Sequence, residues 1–371
     1  MLAIQKYILE HGIDKTIADF KLKTRIYSDK ILLKYDQLVS PTLMALPEMQ
    51  DCRGLILEIG TWKVLSLAFR KFFNLQESNA HKIDWTTARI LEKLDGTMIQ
   101  VYNHKNEWFA ATTGTIDGSG EVNNKLGTTF NSLFWDTVKN KYNLDLNVLN
   151  NNFCYVFELT TPYNIVVKPH SESSATLLTV RNLTTLEELS YEEVISVGAM
   201  LGLPVVKSYD LNVDVETILH TFDGCDVFFE GYVIVDANFN RVKIKSPKYI
   251  AIHHLKNRTA EYHIMEIVKT NEIEEFGATF PERKAELHKL KENYDKLLVR
   301  LNNIWLELKP YKPKNITPEE KKKFAAAVFE ICAKDGLKMF SGLYFSLYDG
   351  KTTSVEDYLM KYDNKILYKI L

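Results

Sequence analysis

Between about residue 20 and residue 250 the apolar positions come in short runs, either continuous or alternating with polar ones. "GLILEIG", "VLSLAF", "ARILEKL", "TMIQVY", "FCYVFEL", "TLLTVRNL", "VFFEGYVIV" and "RVKIK" are punctuated by Gly, Asn and Asp, which predicts strands closed by turns. Helical spacing is the exception here. "SYEEVISVGAMLG" predicts one helix, with Ser190 as its cap and Gly202 as its end, and "MLAIQKYILEHGIDKTIADF" predicts an amphipathic helix at the start. Past residue 255 the period changes: Leu287, Leu290, Tyr294, Leu297, Leu301, Ile304 and Leu308 recur every three or four positions and predict one long helix. "TPEEKKKF" opens another, with Thr317 as N-cap, Pro318 at the first helical position, Glu320 completing a capping box and Gly336 as the stop; "PYKPK" is a loop between the two. The pattern predicts an α+β domain over residues 1–254 and an all-α domain over residues 255–371.

Within the first domain, "ILEKLDGTMIQVY" has two apolar runs around Asp95-Gly96, a dipeptide suited to a tight hairpin. Lys93 is then either a solvated turn residue or an amine held where a ligand can approach closely. In "RVKIKS", alternation sends Val242 and Ile244 to one face and Lys243 and Lys245 to the other. Two ammonium groups side by side repel, which suits either a protected edge strand or a bound anion. Glu230-Gly231 opens the expected hairpin partner of that strand. Glu158, in the apolar strand "FCYVFEL", requires a structural cation or a place at a site rim. Arg53 and Lys71 each adjoin an apolar run and fit a solvated strand end or a phosphate contact.

Composition narrows the classes. The 371 residues suit two domains, and 46% hydrophobic with 25% charged residues is ordinary for a globular protein. A net charge of -2 means that any nucleic-acid surface must be local. Cys52, Cys154, Cys225 and Cys332 form no C-x-x-C pair and read as reduced core thiols. No stretch reads as a signal peptide or membrane span, so a cytoplasmic protein is expected. No Gly-x-x-x-x-Gly-Lys-Ser/Thr loop is present, so nucleotide is not held by a P-loop. His253-His254 lack a matching ligand cluster and read as structural.

Taken in order, these islands resemble the motifs of the covalent nucleotidyltransferases. Lys93-Leu94-Asp95-Gly96 resembles motif I, Phe157-Glu158-Leu159 motif III, Glu230-Gly231 motif IV and Lys243-Ile244-Lys245 motif V. More narrowly, "DCRGLILE", "KFFNL", "KIKS" followed by Tyr249, and "SLYDG" resemble the bacteriophage T4 RNA ligase 1 family over nearly the whole chain. The resemblance departs at Thr113 in "FAATTGTI", where family members carry a lysine before the glycine. Either that phosphate contact is replaced or the segment is displaced by one, and Thr113 is left out of the site.

The resemblance implies a nucleotidyltransferase domain of ATP-grasp-like antiparallel sheets with flanking helices, followed by an all-α domain concerned with RNA specificity. It implies an ATP-dependent RNA ligase that joins 5′-phosphate and 3′-hydroxyl ends through a lysyl-AMP on Lys93, with Lys243 and Lys245 assisting at the phosphates. Arg53, Lys71, Phe73, Gly96 and Gly231 would complete the nucleotide site. Asp95, Glu158 and Glu230 would supply oxygens for Mg²⁺ or Mn²⁺, with Glu158 alternatively on the ribose. The partner implied is RNA, a nicked tRNA anticodon loop in particular, bound by a monomer in the host cytoplasm if phage-encoded. A DNA ligase, a capping-type guanylyltransferase and a catalytically silent RNA-binding protein are the alternatives. Residues 255–371 lack the strand pattern of the OB-fold that follows motif V in the first two.

Overall fold

The computed structural model describes residues 1–37, 39–123, 127–210, 214–256, 264–279, 281–311 and 317–371. The chain divides into a unit Met1–Asn257 and a unit Arg258–Leu371.

The first unit is built on sheets that are antiparallel except where Phe73–Asn74 joins Arg241–Lys245 in parallel. One contains β1 (Lys23–Tyr27), β2 (Lys30–Lys34), β3 (Arg53–Glu58) and β4 (Val64–Ser66), in that order. A five-stranded sheet contains β5 (Phe73–Asn74), β6 (Arg89–Lys93), β13 (Ser208–Tyr209), β14 (Gly231–Val235) and β15 (Arg241–Lys245), ordered β13-β6-β14-β15-β5. A third, ordered β12-β11-β7-β8, contains β7 (Thr97–His104), β8 (Glu107–Ala111), β11 (Phe153–Thr160) and β12 (Ser174–Asn182). β9 (Glu121–Asn123) and β10 (Thr128–Thr129) form a separate ribbon.

Alternation along these strands decides what faces what. Leu91, Val233 and Val235 of the five-stranded sheet pack with Leu178, while Met98 and Val156 close the same layer with Phe69 and Phe72. The opposite face of that sheet buries Ile90, Tyr232, Ile234, Val242 and Ile244 against Ile218 and Phe222. The outer face of the third sheet is covered by helices Phe130–Tyr142 and Tyr191–Leu201. Ser190 caps the latter with a capping box to Glu193, and Gly202 ends it in the left-handed conformation.

Two expectations are corrected. The first twenty residues form two helices, Ala3–His11 and Ile13–Phe20, because Gly12 adopts φ +81° and breaks the ladder between them. Asp95-Gly96 is not a hairpin turn: β6 already has β13 on one side and β14 on the other, so β7 has no edge left to pair with and joins the neighbouring sheet. The dipeptide carries the chain from one sheet to the next.

The second unit is helical throughout its described residues. The helix Lys284–Leu308 buries Leu287, Leu290, Tyr294, Leu297, Leu301, Ile304 and Leu308. Against it pack Phe324, Val328 and Cys332 of the helix Pro318–Lys334, whose first turn is capped by the Thr317 hydroxyl accepting the Glu320 amide at 3.3 Å. Gly336 follows with φ +68°. Lys269 is buried in this core and donates to the carbonyls of Tyr362 (2.6 Å) and Met360 (3.4 Å), holding the end of the helix Val355–Lys361. Of the loop between the two long helices, Lys312 to Ile316 lie outside the described residues.

Candidate active site

The cross-strand register assembles the site. Gly231 opens β14 and is opposite Lys93 on one side and Lys245 on the other; two residues on, Val233 is opposite Leu91 and Lys243. Lys93, Lys243 and Lys245 therefore share one face, separated by a glycine that leaves space above the sheet. No other residue fits at 231. Its φ is +143°, and a Cβ there would meet the Ile244 carbonyl at 2.1 Å.

Glu230, at the start of β14, is fixed by its own carbonyl, which accepts the Ser246 amide at 2.8 Å. Its Oε1 lies 2.7 Å from Lys93 Nζ and 3.8 Å from Lys245 Nζ. The glutamate side chain is 7% exposed and the two lysines 21% and 16%, so the acid is buried and the lysine side chains are partly exposed. Glu158 comes from the adjacent sheet, on the β11 face that also carries Cys154 and Val156. Gly96 allows that approach, since a Cβ there would stand 2.5 Å from the Leu159 carbonyl and 3.1 Å from Glu158 Cγ. Burial pushes the Glu158 carboxyl up to about 7; Lys93 and Arg53 draw it down, and the charges of Glu230 and Asp95 push it further up. The Lys93 amine, two carboxylates and further cations thus meet where two sheets abut.

The sequence profile described as RNA ligase, of the T4 RNA ligase 1 type, matches residues 51–249, more than half of the chain. The chain belongs to this RNA ligase family. An RNA ligase of Rhodothermus phage RM378 is 28% identical over 85% of this chain and 84% of its own length. A putative bifunctional polynucleotide kinase/RNA ligase of Autographa californica nuclear polyhedrosis virus is 27% identical over 77% of this chain, which spans 42% of that larger protein. Among solved structures, a Naegleria gruberi RNA ligase with PPi is 20% identical over 46% of this chain and 52% of its own, with a TM-score of 0.36.

In this RNA ligase several expected contacts fall elsewhere. Asp95, expected as a metal ligand, is 6% exposed and fully engaged by the protein. Its Oδ2 accepts the amides of Val167 (2.9 Å) and Lys168 (2.6 Å), and its Oδ1 accepts the Tyr249 hydroxyl at 2.9 Å. His170 Nε2 lies 3.1 Å from the Asp95 carbonyl. Asp95 is therefore an anchor that ties Val167, Lys168, His170 and Tyr249 to the segment after Lys93. Phe73, expected to pack on the nucleotide, is 3% exposed in the core beneath the N-terminal helices, so its ring has no face to offer. Lys71 Nζ lies 5.4 Å from the ring centroids of both Tyr35 and Phe73. Arg53 lies against the rings of Phe69 and Phe72, at 4.9 and 5.3 Å, and its buried Nη1 has no hydrogen-bond partner.

Among the described residues, the group of three acids and histidines close enough to share a cation is Asp29, Glu58 and His104, not the expected Asp95, Glu158 and Glu230. That group is already occupied by protein cations, because Asp29 takes Lys105 at 2.6 Å and Lys30 at 3.5 Å. His253 stacks on Tyr249, and the side chain of His254 lies outside the described residues. The anchor role of Asp95 depends on backbone amides of "IVVKPH", which carry no signal in their residue types. Only Tyr249 could have been singled out, from its place after "KIKS".

Proposed function

We propose that this protein is an ATP-dependent RNA ligase that joins 5′-phosphate to 3′-hydroxyl ends through a lysyl-AMP on Lys93. The observation that carries the reading is the 2.7 Å contact between Lys93 Nζ and Glu230 Oε1, in a row that continues through Gly231 to Lys245. Only a neutral amine attacks phosphorus, and an ordinary lysine near pKa 10.4 needs about 4–5 kcal/mol to lose its proton at neutral pH. Glu230 is the base within reach. In the first step Lys93 Nζ bonds to the α-phosphorus of ATP, its proton passes to Glu230, and the Pα–O bond to pyrophosphate breaks. Lys245 and Lys243 stabilise charge on the phosphate oxygens. In the second, a 5′-phosphate oxygen of RNA attacks the same phosphorus, the P–N bond breaks and the amine takes a proton back. In the third, a 3′-hydroxyl attacks the RNA 5′-phosphorus and AMP leaves.

Glu158 and Glu230 are hard oxygen donors of the kind that suits a divalent cation. Such a cation, Mg²⁺ or Mn²⁺, would neutralise phosphate charge. RNA rather than DNA or a cap is favoured by the phage relative, itself an RNA ligase, and by the helical second unit where an OB-fold would otherwise follow. We assign that unit to recognition of the RNA, with a nicked tRNA anticodon loop as the natural substrate. Removing residues after 257 should then spare adduct formation and weaken joining of nicked tRNA.

The decisive test is a denaturing gel after incubation with α-labelled ATP and Mg²⁺. Wild type should carry label that pyrophosphate removes, and Lys93→Ala should carry none. Label on Lys93→Ala equal to wild type would reassign the nucleophile; label from GTP alone would favour capping.

A further inference from the structure

Lys34 ends β2 and Arg53 begins β3, and the two are direct partners across the antiparallel pair. Like charges placed opposite one another repel, so such a pair is favourable only where an anion or a carboxylate lies between. The carboxylates nearest in sequence are engaged: Asp36 pairs with Lys23 at 2.9 Å and Asp51 with Arg70 at 3.0 Å. Arg53 lies against the rings of Phe69 and Phe72, and its buried Nη1 donates to nothing among the described residues. An orphaned guanidinium donor inside a protein is costly unless a ligand completes it.

The third component is the turn after β8. The space a side chain on Gly114 would begin to fill is bordered by Lys34 Nζ, 3.8 Å from the Cβ position, with nothing else within 4 Å. The turn is drawn against β3 because Gly54 lacks a Cβ, which would meet Thr113 Cα at 2.9 Å. Thr113 is where the family resemblance places a lysine. An ammonium group, that of Lys34, borders this turn from a different strand.

We infer that Lys34 and Arg53 form a phosphate-binding subsite beside the Thr113-Gly114 turn. Arg53 is close enough to Glu158 to draw its pKa down. Arg53 presents the planar fork and Lys34 the point charge, a combination that recognises phosphate oxygens. Which phosphate it takes rests on the ligase reading: either the terminal phosphates of ATP, which leave as pyrophosphate, or the 5′-phosphate of the RNA.

Lys34→Met, Lys34→Arg and the double variant Lys34→Met with Thr113→Lys separate the outcomes. If ATP's terminal phosphates bind here, Lys34→Met raises the ATP concentration for half-maximal adduct by about tenfold or more, the loss of one charge-assisted bond. If the RNA 5′-phosphate binds here, adduct forms normally, but AMP passes from labelled protein to 5′-phosphorylated RNA about tenfold more slowly. In either case Lys34→Arg stays within about threefold of wild type and Thr113→Lys restores most of the loss. The inference is overturned if Lys34→Met matches wild type in both steps. It is equally overturned if the defect persists in both rescue variants, which marks a structural role. Wild type without label would overturn the ligase reading instead. Calorimetric titration of the full protein with pyrophosphate then decides the subsite alone: tighter binding by wild type than by Lys34→Met supports it, and equal binding removes it.

Discussion

The five-stranded sheet carries a basic–acidic pair at each end of one face, and the two ends are built differently. At one end Arg241 is bonded through both terminal nitrogens to Glu188, which also accepts from the Thr179 hydroxyl at 2.7 Å and from Arg181 at 3.4 Å. Both partners are 8% exposed. At the other end a single oxygen of Glu230 faces two lysines. The first arrangement saturates its hydrogen bonds inside the protein and holds β15 to the neighbouring sheet. The second keeps both lysine side chains partly exposed, within reach of a ligand. A buried ion pair alone does not mark a site; what matters is whether the protein completes it.

The sharpest way to break this comparison is to remove charge at each end. Glu230→Gln should reduce the rate of protein–AMP formation by about 10²–10⁴-fold with little change in melting temperature. Glu188→Gln should do the reverse, costing about 3–5 kcal/mol in urea unfolding because it strands Arg241 and Arg181 in the interior, while adduct formation per folded molecule persists. Equal activity loss at both ends would erase the distinction. Gly231→Ala should fall between them, losing about 1–3 kcal/mol of stability together with adduct, because its Cβ collides with the Ile244 carbonyl.

Asp95→Asn sharpens the comparison further. One amide oxygen cannot serve both the paired backbone donors and Tyr249, so about 1–3 kcal/mol should be lost in chemical denaturation. The Mg²⁺ concentration supporting half-maximal adduct should not move; a shift would return Asp95 to the metal. The smallest effect concerns Glu158. Its pKa is raised in the folded state, so the folded protein holds this proton where the unfolded chain has released it, and stability falls as pH rises from the ordinary carboxylate range through about 7. Melting curves of Glu158→Gln should lose that contribution, gaining on wild type at pH 8 relative to pH 5.

Much of the fold was legible in the sequence where local chemistry decides. Ser190 with Glu193, Gly202, Thr317 and the apolar stripe from Leu287 to Leu308 behave as their spacing predicts, since caps and amphipathic faces involve residues within a few positions of one another. The alternation of Val242 and Ile244 against Lys243 and Lys245 was equally readable, with the two apolar residues 0% and 2% exposed. Asp95-Gly96 misled for the same reason: its local preference is for a hairpin, but two other strands occupy both edges of β6.

By itself the sequence determined the cap and stop of the helix between Ser190 and Gly202, the Thr317 cap, the apolar stripe from Leu287 to Leu308 and the alternation along Arg241–Lys245, and it singled out Lys93, Glu158, Glu230, Lys243 and Lys245 as chemically capable islands. Only the tertiary structure decided that Glu230 reaches Lys93, that Asp95 is consumed by backbone amides, that Phe73 belongs to a core, and that Lys34 stands beside Gly114. These are contacts between residues far apart along the chain, set by sheet order and register, and pairing partners at that distance leave no periodicity to read.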